Sequence, residues 1–263
     1  MKIDELFKGI NLQKVIIDKI IPIITEKEDE FNQYVNDLID FDKSEKTYEA
    51  LCKIYDWNSF EMLSIYLLSC LKIYDKYQLL GINDNIFFDT MKCFTRFIDE
   101  CYVKTGKYYF DRSWWTYRQV RMSEFRIGIL EYEFDLENNV VSIHIPSDAK
   151  LNKDNIENSI KNANEFINKY YPEYSNFKMV CDSWLLSPKL KLYLNDNSNI
   201  LLFQSYFNVI SFKEDDYGYI EWLFKENINF NIINFKEDTS LQRKVKKALL
   251  NGEKIGCAYG ILK

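Results

Sequence analysis

A single histidine, His144, occurs in the whole chain of 263 residues. Histidine is the side chain that most readily exchanges protons near neutral pH, so chemistry that needs two imidazoles is excluded. The six cysteines, at 52, 70, 93, 101, 181 and 257, contain no C-x-x-C pair and have no histidine beside them. Metal-ligand spacing is therefore missing and no metal is expected. There is no excess of base: 34 Lys and Arg stand against 40 Asp and Glu, a net charge of −6. A nucleic-acid partner needs a concentrated basic face, and the longest basic cluster, "RKVKK" from Arg243 to Lys247, reads as the solvated side of a helix. Nowhere do about 18 apolar residues run together, so no membrane span is expected. The N-terminus, "MKIDELFKGINLQKVIID", lacks the apolar core of a cleavable leader. Reduced thiols in a cytoplasm fit these absences.

Apolar residues make up 47% of the chain and charged residues 28%, the balance of a soluble globular protein with one large or two smaller domains. Phe and Tyr are abundant at 19 each while Gly and Pro number 8 and 4, a bias that fits base composition better than mechanism. The first ~110 residues follow helical spacing. Met62, Ile65, Leu68 and Leu71 recur at helical steps after a cap at Ser59. Ile86, Phe87, Met91, Phe94 and Ile98 do the same after Asn83 or Asp84. We expect a helical domain over 1–112 and a mixed α/β domain over 113–263, a two-domain α+β protein. In the second part the pattern predicts strands over "FRIGILEYEF" and "VVSIHIP" and a helix capped by Asn152. Strands over "FKMVCDSWLL", "NILLFQSYFNVI" and "INFNIINF" follow, then a helix ending at Gly252 and a last strand, "KIGCAYGIL".

The two strands around "LENN" predict a hairpin turning at Asn138-Asn139. That register sets Glu133 opposite His144 and Phe134 opposite Ile143. Leu130, Tyr132, Phe134, Leu136, Val141, Ile143 and Ile145 then share one face, and Glu131, Glu133, Asp135, Ser142 and His144 share the other. A histidine oriented by a carboxylate is suited to taking a proton from an amine or alcohol. The same pair also fits a plain surface salt bridge.

The loop from Pro146 to Asn152 joins this strand to a helix, where unpaired N–H groups favour an anion. It has no glycine, so Lys150 and Lys153 would supply the attraction, unless the loop is simply a capped helix start. Ser183 and Cys181 in "CDSWLLSP" lack a partner base and the small neighbours a nucleophile turn needs. Tyr193 is a candidate general acid if it faces a cleft. Trp114 and Trp115 sit where the two parts join, a place favoured by ligand sites and also by ordinary interface packing. With Glu131 they are the candidates for acceptor binding.

In chain order, "FRIGILEYEF", "IHIPSDAKL", "SIKNANEFINKYYPEY", "CDSWLLSPKL", "SNILLFQSYF" and "LQRKVKKALLNGEKIGCAYGIL" resemble bacterial acyltransferase-domain proteins. Those proteins carry a helical N-terminal N-acyltransferase domain and a GNAT-like C-terminal domain. The resemblance is close from about Trp114 to Leu262. It implies acetyl-CoA or another acyl-CoA as co-substrate and a small amine as acceptor. Ser147, Lys150, Asn152 and Lys153 would hold the pyrophosphate, and backbone N–H groups near Ile145 and Ser147 would polarise the thioester carbonyl. The pantetheine arm would lie between "VVSIHIP" and "FKMVCDSW", with His144 or Glu133 as base. The glycine-rich pyrophosphate loop of such folds (Q/R-x-x-G-x-G/A) is replaced here by "IPSDAKLNKDN". A catalytically silent ligand-binding or protein-interaction module on the same scaffold is the alternative. Oligomeric state, acyl length and acceptor identity stay open at this stage.

Overall fold

The structure, a computed structural model, describes residues 1–225 and 231–263. It divides into two compact units, Met1–Ile127 and Gly128–Lys263. The first unit holds seven helices: α1 (Ile3–Gly9), α2 (Lys14–Leu38), α3 (Ser44–Leu51), α4 (Phe60–Leu80), α5 (Asp84–Met91), α6 (Cys93–Thr105) and α7 (Ser113–Val120). It closes with strand β1 (Glu124–Ile127). Helix α4 is apolar around most of its circumference and accordingly lies in the middle of this unit, with Met62 to Leu67, Cys70, Ile73 and Tyr77 buried. Ser59 caps it by accepting from the Met62 N–H at 3.2 Å, and Gly81 ends it in the left-handed region at φ 68°. Edge-on and tilted rings of Tyr66, Phe94 and Phe110 pack beside it. The pattern from Asn83 to Tyr102 predicts one helix, but α5 and α6 are separate, parted at Lys92.

The second unit contains β2 (Leu130–Asp135), β3 (Val140–His144), α8 (Lys153–Tyr170), β4 (Lys178–Ser183), α9 (Asn199–Ser205), β5 (Phe207–Lys213), α10 (Tyr219–Phe224), α11 (Ser240–Leu250) and β6 (Cys257–Leu262). Its strands run in the order β2-β3-β4-β6-β5. Only β3 and β4 are parallel; the pairs β2/β3, β4/β6 and β6/β5 are antiparallel. Helix α8 supplies the crossover that a parallel pair requires. It buries Ile156, Ser159, Ala163, Phe166 and Ile167. Ser159 fixes it to the sheet: its Oγ accepts from the Leu130 N–H at 3.3 Å and lies 3.1 Å from the Tyr132 hydroxyl. A second apolar cluster joins Leu190, Tyr219, Ile220, Phe224, Phe235, Val245, Leu249 and Ile255.

Three strand expectations need correction. "FRIGILEYEF" is not continuous, because Gly128 turns the chain at φ 67°. "NILLFQSYFNVI" opens as α9 and becomes strand only at Phe207. Ser198 caps that helix, and Gln204 then donates through Nε2 to the Leu185 and Ser187 carbonyls at 2.7 and 3.0 Å, which a strand could not arrange. The strand expected over 228–235 lies partly outside the described residues, and Ile232–Asn234 form a 3-10 turn. Helix α10 was not anticipated. The helix ending near Gly252 and the closing strand are found as expected. No helix among the described residues is long and apolar enough to cross a membrane.

Candidate active site

The hairpin carrying His144 forms, with a register two residues from the expected one. Glu131, not Glu133, is opposite His144, and Phe134 faces Val141. The cause is the connection, which uses four residues, 136–139, in place of a two-residue turn. Asp135 holds that loop by accepting from the Asn138 N–H at 3.0 Å and from its side-chain amide at 2.7 Å, and Asn139 takes φ 54°. Leu136 thereby leaves the apolar face and is exposed. A slip of two keeps every strand side chain on its own face, whereas a slip of one would not. Leu130, Tyr132, Phe134, Val141 and Ile143 are accordingly buried together.

Glu133 still reaches His144, diagonally across the strands. His144 Nε2 lies 2.9 Å from Glu133 Oε2, with the two side chains 28% and 18% exposed. Against an ionised carboxylate, which only accepts, the bonded Nε2 is the donor. The expected pair is thus present with a different origin.

The strand that carries His144 also parts from its parallel neighbour. Ladder pairs join Val140 to Lys178, Val141 to Met179 and Ser142 to Val180, and there they stop. Strand β3 continues to His144, while β4 continues to Ser183, paired along its other edge to β6 through Val180, Cys181, Asp182 and Ser183. Past Ser142 and Val180 these strands no longer share a ladder. An extended chain carrying its own amides can add to strand edges exposed in this way.

The other expected residues are dispersed. Ile145 follows β3 and is half-buried, and Ser147 and Lys150 are exposed. Asn152 caps α8, accepting from the Asn155 N–H at 3.0 Å, and Lys150 contributes its carbonyl to the Asn152 N–H and to the Asn155 side chain. Lys153 stands one turn from Glu157, 3.9 Å away. Glu131 is buried at the base of the hairpin. Tyr193 is joined to Glu253 rather than to the histidine: its hydroxyl donates at 2.7 Å, and burial together with that carboxylate pushes its pKa up to about 12. Trp114 and Trp115 lie on α7, in the first unit. There the two indoles meet edge to face at 5.6 Å, and Trp115 donates to Glu124 at 3.3 Å.

Ser183 is a cap whose Oγ accepts from the Leu185 N–H, and burial raises the Cys181 thiol far above its ordinary value. Neither is an activated nucleophile. One group at this end of β4 was not singled out from the sequence. The Cys257 thiol donates to Asp182 Oδ1 at 3.1 Å, and burial followed by Asp182 pushes its pKa up to about 12. The strand register brings these two together across 75 residues, and no local pattern signals it.

Two family models match the chain. One, described as an N-acyltransferase N-terminal domain, covers residues 1–122. The other, a GNAT-like C-terminal domain, covers residues 89–262. No curated protein matches. Among solved structures, an acyltransferase in complex with decanoyl-CoA and teicoplanin is similar over 99% of this chain and 87% of that chain, with 18% identity and a TM-score of 0.83. An acyltransferase mutant in complex with octanoyl-CoA matches over the same shares, 99% and 87%, at 17% identity and a TM-score of 0.83. An acyltransferase in complex with decanoyl-CoA matches 76% of this chain and 65% of that chain, at 22% identity and a TM-score of 0.71. At these identities the likeness establishes the fold. With the GNAT-like model alone matching well over half of its length, the chain belongs to the family of N-acyltransferases that join a helical N-terminal domain to a GNAT-like C-terminal domain.

Proposed function

We propose that this protein transfers an acyl group from acyl-CoA to the nitrogen of a small amine or amino-acid-like acceptor. The observation that carries the reading is the end of the β3–β4 ladder at Ser142 and Val180, with the His144–Glu133 pair one turn of the strand beyond it. The pantetheine arm, which has two amides, is the kind of chain that exposed strand edges bind. Solved relatives hold decanoyl-CoA and octanoyl-CoA, which supports an acyl-CoA with a medium-length chain as the donor.

In this reading the imidazole of His144 takes a proton from the incoming amine, and Glu133 holds the ring through Nε2 and stabilises its charged form. The amine lone pair forms the C–N bond at the thioester carbonyl, the C–S bond breaks, and CoA leaves as thiolate and takes up the released proton. Backbone N–H groups at Ile145 and Ser147 would stabilise the developing oxyanion. Ser147, Lys150, Asn152 and Lys153 face the pyrophosphate. Tyr193 is given no proton to move, since its hydroxyl is held by Glu253. Glu131, on the second unit with His144, is the acceptor-side candidate.

A steady-state assay on His144→Gln tests the assignment. The account expects kcat to fall ~10²–10⁴-fold with acyl-CoA affinity retained; an unchanged kcat would remove His144 from the mechanism. One observation favours the silent binding module instead: the Asn152 side chain already occupies the Asn155 N–H at the helix start, where a phosphate would seek its donors. Acyl transfer by the wild type decides between the two.

A further inference from the structure

The parallel register of β3 and β4 advances one residue on each strand per step, so continued past Ser142/Val180 it would set His144 level with Asp182. Alternation along a strand places both on one face of the sheet. That face is the one opposite α8, because Tyr132, which meets α8 through Ser159, is paired with Ile143 and not with His144. Across β6, Tyr259 stands opposite Asp182 on the same face. Glu131, His144, Asp182 and Tyr259 therefore form a polar row over the carboxyl ends of the two parallel strands, broken only where the ladder ends. Ligands of open α/β sheets bind at that end.

We propose that Asp182 binds the acceptor's ammonium group across the gap from His144, which makes the acceptor an amine that arrives protonated. This deepens the acyl-transfer reading and rests on it. An alkylamine at neutral pH is a cation with no nucleophilic lone pair, so the site must bind it charged and take its proton beside the thioester. Hydrogen-bonded strands lie ~4.8 Å apart and parted strands further. One nitrogen bound there would meet a carboxylate from β4 and an imidazole from β3. Asp182 is open to such a ligand: its side chain is 51% exposed and Lys213 is its only ion-pair partner among the described residues, at a loose 3.9 Å. Its Oδ1 takes the Cys257 thiol, which adds a donor and no charge, and Oδ2, 3.9 Å from Lys213 Nζ, is the oxygen that an ammonium would take over from this loose pair.

The test uses the full-length protein with octanoyl-CoA and two acceptors, a primary alkylamine that is protonated at neutral pH and an arylamine that is not. Asp182→Asn keeps an acceptor for the thiol and removes the charge. We expect it to raise KM for the alkylamine about tenfold or more, with KM for octanoyl-CoA and for the arylamine unchanged. Asp182→Glu should restore part of the alkylamine affinity. Cys257→Ala should leave that affinity in place, and in the wild type added salt should weaken it. An alkylamine KM unchanged in Asp182→Asn, or a rise equal for both amines, would overturn the role of Asp182. Octanoyl-CoA bound by the wild type but transferred to neither amine would overturn the amine-transfer reading itself, a failure visible before any variant is made.

Discussion

Each reactive-looking residue of the second unit is settled by its immediate partners. His144 has a carboxylate at 2.9 Å, Ser183 spends its hydroxyl on a turn, and Tyr193 donates to Glu253. Cys257 is the instructive case, since a half-buried thiol beside a carboxylate is held protonated. With its pKa near 12, only about one thiol in 10⁴ is ionised at pH 8. Iodoacetamide at that pH should label exposed Cys52 first and Cys257 slowly, the Cys257 rate rising about tenfold per pH unit. Asp182→Asn removes one of the causes of the shift and should speed labelling of Cys257. Peptide mass spectrometry reads both rates, and rapid labelling of Cys257 at pH 8 would contradict the Asp182 contact.

At the scale of elements, helix ends and the α8 docking carry the checkable energetics. Asn152→Ala removes the cap bond to Asn155 and should cost about 1 kcal/mol in urea unfolding, with the slope unchanged. Ser159→Ala is expected to cost more, about 1–3 kcal/mol, because the buried Tyr132 hydroxyl and the Leu130 N–H both lose it. A smaller loss for Ser159 than for Asn152 would mean that α8 is held by its apolar stripe alone. The caps at Ser59, Asn83 and Asn152 were legible in the sequence because a cap depends on a few neighbouring residues. So was the apolar face of the hairpin, since alternation survives an even slip. The register itself was not legible: nothing local distinguishes a turn at Asn138-Asn139 from the four-residue loop that Asp135 stabilises. For "NILLFQSYF", the apolar run suits strand or helix equally. Gln204, which bonds carbonyls 17 and 19 residues away, tips the choice by tertiary contact.

At the scale of the molecule, the sequence showed a helical part followed by a mixed sheet, and the resemblance implied where an acyl-CoA would run. The end of the β3–β4 ladder lay beyond reach, because it depends on the tertiary pairing of β4, to β3 on one edge and on the other to β6, a strand some 75 residues later. Asp182 and Cys257 were unreadable for the same reason, being brought together only by that pairing. In the proposed reading the gap gives a chain without a glycine-rich loop a place for the thioester, the arm held by strand edges and Lys150 and Lys153 supplying charge at the start of α8. Binding of an acyl-CoA is therefore the central claim, and a thermal-shift titration with octanoyl-CoA tests it most directly. At 100 times its dissociation constant the ligand should stabilise the wild type by about 2.7 kcal/mol and raise the midpoint by several degrees, with a weaker response in Lys150→Ala. A midpoint that does not move at any octanoyl-CoA concentration would contradict the account.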